Sequence, residues 1–184
     1  SGIAQTIAQH GLKVLLTDRE LAIAEESRAG IERALGKLVS RDKIAPAEAE
    51  AALGRITAVG DVAPMADAAM IIEAATEKEE IKQAIFESAG KVLADDAILA
   101  SNTSSIPITR MANWSPDPGR FIGLHFFNPV PVMGLIEVIP GLATNQDVTD
   151  RTMAFAHQLG KEVVLSQDEP GFVVNRILLP MINE

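Results

Sequence analysis

The chain has 184 residues, 47% of them apolar, with 25 acidic against 16 basic side chains and no cysteine. That length suits one domain with at most a fragment of a second, and the net charge of −9 argues against a general nucleic-acid binder. Zero cysteines exclude disulfides, thiol catalysis and zinc–thiolate sites and fit a reducing cytoplasm, while no apolar run reaches the ~20 residues of a membrane span and no secretion signal opens the sequence.

In chain order, Ser1–His10 reads as a helix stopped by Gly11, and Leu12–Thr17 as a short buried strand ending at Asp18. Helix, strand, acid is the second half of a dinucleotide-binding βαβ unit, in which the acid takes the ribose hydroxyls. Asp18 alone also fits a turn residue or helix cap. The first strand and the G-x-G-x-x-G turn of such a unit would precede Ser1, so the expected sheet lacks its first strand and the chain reads as a piece of a longer protein. Such a piece, by itself, is expected to fold poorly and to bind dinucleotide weakly.

Glu20–Val39 is an amphipathic helix with Leu21, Ile31, Leu35 and Leu38 on its apolar side, and Pro46 opens a second helix through Leu53. Together they form a helical hairpin over 20–54. Lys37, Arg41 and Lys43 lie at its turn, where they could meet phosphates and read equally as a solvated basic patch. Ile56–Val59 and Met70–Ile72 are strands, the latter running into Glu73 and Glu77. Glu79–Leu93 is a helix with Ile81, Ile85, Phe86 and Val92 apolar. Glu77 and Lys82 have a plain reading, a carboxylate favoured at a helix start and a solvated lysine.

The stretch from Ile98 to Ile139 carries the chemistry. One strand, Ile98–Ser101, turns polar in Ser101-Asn102-Thr103-Ser104-Ser105. Another, Phe121–Leu124, turns polar in His125-Phe126-Phe127-Asn128-Pro129. Ligands of open parallel sheets bind outside the carboxyl ends of strands, so two such endings point to one cleft. Most of the Ser/Asn/Thr cluster also fits a turn capping a short helix at Ile108. Leu135–Ile139 is a third apolar run with one carboxylate, Glu137, costly to bury unpaired. His125 is its natural partner: a carboxylate on one ring nitrogen fixes the tautomer and leaves the other free to take a proton. The same pair fits a purely structural ion pair. No second histidine lies nearby, so no metal site is expected. A helix follows at Asp147–Leu159, then a strand at Glu162–Leu165. The polar break Ser166–Gly171 divides a domain of 1–168 from a helical segment of 169–184 that contains Asn175.

Three sequence words, Ser101–Ser105, His125 through Met133, and Pro170 through Arg176, with Glu137 between the last two, resemble those of the 3-hydroxyacyl-CoA dehydrogenases. The resemblance extends over essentially the whole chain. It implies a doubly wound, mostly parallel Rossmann-type α/β sheet, followed by the start of an all-helical second domain. It implies NAD as cofactor and an acyl-CoA thioester as substrate, with His125 as base and Glu137 as its orienter. Ser104 and Asn175 would meet the substrate, with Asn128 beside them, while Asp18, Glu77, Lys82 and Asn102 would lie on the cofactor side. The hairpin would lie over the CoA moiety, and a homodimer would form through the helical domain. The form of the Val130–Met133 loop looks more like stand-alone short-chain enzymes than multifunctional β-oxidation proteins. The alternatives are a related NAD-dependent dehydrogenase of another hydroxy acid and a non-catalytic binding or structural member of the family.

Overall fold

The computed structural model describes residues 1–169 and 171–177, and they fall into two compact units, one of Ser1–Met65 with Asn128–Met133 and one of Ala66–Phe127 with the chain from Gly134 onward. The first unit alternates helix and strand: α1 (Gly2–Gln9), β1 (Val14–Thr17), α2 (Leu21–Val39), α3 (Pro46–Gly54) and β2 (Ile56–Val59). β1 and β2 pair in parallel, Val14 opposite Ile56 through Thr17 opposite Val59. Its core is small and aliphatic: Ala4 and Ala8 of α1 meet Ile31 and Leu35 of α2, Ala52 of α3 and Ile56. Alanines four apart leave a flat stripe on α1, so larger side chains of α2 can fill the gap. Leu21, expected on the buried side of α2, is instead 44% exposed, and Ala24 is buried in the same turn. Pro46 starts α3, and the Glu48 carboxylate accepts the Ala45 N–H at 2.7 Å, which satisfies a donor the helix itself cannot.

The second unit is built on five strands in the order β3-β4-β5-β6-β7: β3 (Met70–Glu73), β4 (Ile98–Ser101), β5 (Phe121–Phe126), β6 (Leu135–Pro140) and β7 (Glu162–Leu165). β3, β4 and β5 are mutually parallel, β5 and β6 antiparallel, and β6 and β7 parallel. β4 and β5 are buried along their whole length, which is why both read as continuous apolar runs rather than alternating ones. Among the described residues the helices α4 (Glu79–Gly90), α5 (Ile108–Ala112) and α6 (Gln146–Gln158) accompany the sheet. Phe86 of α4 meets Phe121 of β5 edge-on, with ring centroids 4.8 Å apart, inside a core that also holds Leu99, Ile108, Met111 and Ile139.

Two expectations are corrected here. α4 ends at Gly90 rather than Leu93; the last residues continue only as turns, with Leu93 N–H on the Ala89 carbonyl at 3.0 Å. The polar cluster after β4 does not cap α5. Both carboxylate oxygens of Asp168 do so, taking the N–H groups of Ile108 and Thr109 at 2.7 Å each. A helical turn occupies 174–177. The rest of the helix expected to Glu184, and Pro170, lie outside the described residues.

Gly123 makes the close packing of β5 possible. A Cβ there would stand 2.7 Å from Ile108 Cδ1 and 2.9 Å from Ile139 Cβ. Gly123→Ala should therefore destabilise the chain by about 1–3 kcal/mol, the range for overpacking a filled core. Thermal melts should show a lower midpoint; an unchanged midpoint would mean the neighbours yield freely.

Candidate active site

Parallel strands end together, and Glu73, Ser101 and His125 lie at or next to the carboxyl ends of β3, β4 and β5. His125 is opposite Glu137 in the antiparallel β5–β6 register, so both side chains leave the same face of the sheet. His125 Nδ1 lies 2.8 Å from Glu137 Oε2, and both side chains are buried. An ionised carboxylate only accepts, so Nδ1 carries the proton, and in that tautomer Nε2 is the acceptor. Phe127 and Phe172 flank the ring, with centroids at 4.5 and 5.8 Å.

Glu137 has a second duty that the sequence does not announce. Its Oε1 accepts the N–H groups of Val173 and Val174 at 3.0 and 2.9 Å. These open the turn that carries the half-buried Asn175. One carboxylate thus orients the imidazole and anchors the backbone immediately before a second predicted site residue. Burial alone would raise the Glu137 pKa. The hydrogen bonds from His125 and from the N–H groups of Val174 and Val173 outweigh it and hold the carboxyl below the ordinary glutamate range.

A second group forms around Glu77. Ser104 reaches Glu77 Oε1 twice, by its N–H at 2.7 Å and its hydroxyl at 3.0 Å. Thr103 Oγ1 is 2.9 Å from Oε2. Desolvation pulls this carboxyl upward, but the Ser104 and Thr103 bonds and the nearby Lys82 charge prevail, and its pKa is lowered. Asn102 Oδ1 accepts the Phe126 N–H at 2.8 Å, tying the loop after β4 to the end of the strand that carries His125.

Lys82 is not the solvated residue of the plain reading. Its side chain is 2% exposed, with Nζ 2.6 Å from Glu73 Oε2 and 3.7 Å from Glu77 Oε2. Glu73 also receives Ser101 Oγ at 2.9 Å and the Ala75 N–H at 2.8 Å. Glu73, Ser101 and Thr103 were not singled out from sequence. The available signal was an acid closing the apolar run Met70–Ile72 with a lysine further along.

The second unit thus brings together His125 and Glu137, with the backbone just before Asn175 on the same carboxylate, and Glu77, Lys82 and Ser104 in another group, while Asn102 bonds the residue after His125. Asp18 and Asn128 belong to the first unit. Asp18 is exposed directly after β1, with Oδ1 on the Arg19 N–H at 2.8 Å, and Asn128 is exposed. Among the described residues no cluster of three or more histidine or acidic groups could hold a metal ion, and no helix is long and apolar enough to cross a membrane.

A partly parallel sheet with accompanying helices, polar strand ends and an imidazole–carboxylate pair defines the class: a Rossmann-like domain of the dehydrogenase type. Residues 1–169 match the NAD-binding domain of 3-hydroxyacyl-CoA dehydrogenase. The chain belongs to the 3-hydroxyacyl-CoA dehydrogenase family. It is 44% identical over 183 residues to a probable 3-hydroxybutyryl-CoA dehydrogenase of Deinococcus radiodurans, covering all of this chain and 66% of that one. To the 3-hydroxybutyryl-CoA dehydrogenase of Bradyrhizobium diazoefficiens it is 45% identical over 184 residues, covering 63% of that protein. The crystal structure of (S)-3-hydroxybutyryl-CoA dehydrogenase PaaH1 from Ralstonia eutropha superimposes with a TM-score of 0.96 at 41% identity, covering 99% of this chain and 64% of that one. The chain therefore spans about two-thirds of the length of these relatives.

The two lowered carboxyls set an acid limit on stability. Glu137 and Glu77 bind protons less readily in the folded chain than in the unfolded one. Below the ordinary glutamate pKa of about 4.3, the unfolded state holds more protons, so stability is lost as pH falls through the folded values. Denaturant melts of Glu137→Gln should show a less stable protein at pH 7 that loses less than wild type on acidification. Equal acid slopes in the two proteins would contradict this.

Proposed function

We propose that the protein of which this chain is part interconverts 3-hydroxyacyl-CoA and 3-ketoacyl-CoA with NAD, and that 3-hydroxybutyryl-CoA or a similarly short thioester is its substrate. The observation that carries this reading is the 2.8 Å bond between His125 Nδ1 and Glu137, because it leaves Nε2 as the acceptor. The proposed domain division is an NAD-binding domain of 1–168 and a helical segment of 169–184. We further propose a homodimer formed through helical structure beyond 169, and a cytoplasmic setting.

The residues suit a dinucleotide. Asp18 is an exposed carboxylate directly after a parallel strand, the chemistry that takes ribose hydroxyls and favours NAD over NADP. Glu77, Lys82 and Asn102 would lie on the nicotinamide side. When bound, NAD supplies the hydride acceptor. His125 Nε2 removes the proton of the 3-hydroxyl as C3 gives up its hydride, and it returns that proton in the reverse direction. Glu137 balances the positive charge the ring gains. Ser104 and Asn175 hydrogen-bond the oxygen atoms of the substrate, where charge shifts in the transition state, and Asn128 assists at the substrate side.

NADH consumption with acetoacetyl-CoA, against a panel of free hydroxy acids with NAD, tests the reading in the full-length protein. Turnover confined to the free acids would replace it with a different dehydrogenase. In the active protein, His125→Ala should lower kcat by about 10²–10⁴-fold, the usual contribution of a positioned base, with NAD affinity nearly unchanged. Near-normal turnover would remove His125 from the mechanism. Asp18→Arg should weaken NAD binding and improve NADP binding relative to it; unchanged affinities would refute the ribose assignment.

A further inference from the structure

Lys82 raises a question that a role in direct ligand contact does not answer. A fully buried lysine is costly and is tolerated only when paired. Here the pairing is double. The nearer partner, Glu73, is fixed at the strand ends by Ser101 Oγ and the Ala75 N–H. The farther one, Glu77, has a side chain 45% exposed and belongs to no helix or strand. Packing does not hold Glu77 in place; Ser104, Thr103 and Lys82 do. An apolar pair in place of Glu73 and Lys82 would leave the Ser101 hydroxyl and the Ala75 N–H without their acceptor and Glu77 without the Lys82 cation.

We propose that Lys82, seated on Glu73, is a positioning residue that holds the Glu77 carboxylate and through it the backbone of Ser104, so that the Ser104 hydroxyl stands ready for a substrate oxygen. The proposal rests on the functional reading above. Two bonds join Ser104 to Glu77, and they differ in kind. The N–H bond at 2.7 Å fixes the residue, whereas the hydroxyl bond at 3.0 Å can turn to a ligand without moving the backbone. Lys82 is thus linked to the substrate through Glu77 and Ser104. Lys78 and Glu79 adjoin Glu77 in sequence, and Arg110 of α5 is paired with Glu79 at 2.8 Å.

The experiment is a cycle in the full-length protein: Ser104→Ala, the near-isosteric pair Glu73→Gln with Lys82→Met, and all three together. The pair neutralises both buried charges at once, so neither is left unpartnered. Each single step should cut kcat/KM with acetoacetyl-CoA and NADH, by up to about 10²-fold for a displaced positioning group, and the combination should be little worse than the larger of the two. Losses that multiply would show that Lys82 does not act through Ser104 and would overturn the proposal.

A second readout needs no turnover. The Ser104 amide resonance in NMR follows ionisation of Glu77, and its titration midpoint should rise in the Glu73→Gln/Lys82→Met protein. Glu73→Gln alone, the milder change, should move the midpoint down, because Lys82 then turns to Glu77. Midpoints that match wild type in both would overturn the proposal. A wild-type protein inactive on acyl-CoA thioesters would sink the functional reading instead, and the amide titration would then decide the positioning role by itself.

Discussion

The central constraint is the division of one carboxylate. Glu137 sits inside an apolar strand, fully buried, where an unpaired charge would be prohibitive. Its two oxygens face different ways. Oε2 receives the imidazole of His125, and Oε1 receives the N–H groups of Val173 and Val174. The geometry of the imidazole and the start of the turn that bears Asn175 follow from the same group. A charge at this position is stabilised by three donors, which is why it stays ionised where burial alone would neutralise it.

Around this centre the second unit repeats one device: a carboxylate used as an anchor for backbone N–H groups. Asp168 holds the start of α5, Glu77 holds Ser104, Glu73 holds Ala75, and Glu137 holds the 173–174 segment. An acidic chain with a net charge of −9 can carry so many buried and half-buried acids because each meets N–H donors or a cation. These anchors also act at segments that ordinary helix or strand hydrogen bonding leaves unsatisfied. Loops that bear predicted site residues are therefore tied to the sheet by side-chain acceptors.

Much of this was legible in the chain. Ile56–Val59, Ile98–Ser101 and Glu162–Leu165 are strands with those very bounds, because short apolar runs between turn residues leave little room for another reading. Glu137 stood out because nothing but a partner could justify it among Leu135–Ile139. What was not legible depends on contacts distant in sequence. Asp168 caps a helix about sixty residues earlier, so local pattern assigned the cap to the nearby Ser/Thr cluster. Lys82 reads as one charge among many on α4, and only the placement of Glu73 at the end of β3 shows that it faces inward. Leu21 lies on the expected stripe of α2 but at the helix start, where the core does not reach.

The most direct test is the tautomer of His125, read from the ¹⁵N resonances of its ring in the full-length protein at a pH where the ring is neutral. The expected spectrum has the proton on Nδ1, hydrogen-bonded to Glu137, and an unprotonated Nε2. In Glu137→Gln that preference should weaken. A wild-type ring protonated on Nε2 would leave no acceptor for the hydroxyl proton and would contradict the pairing on which the site is built.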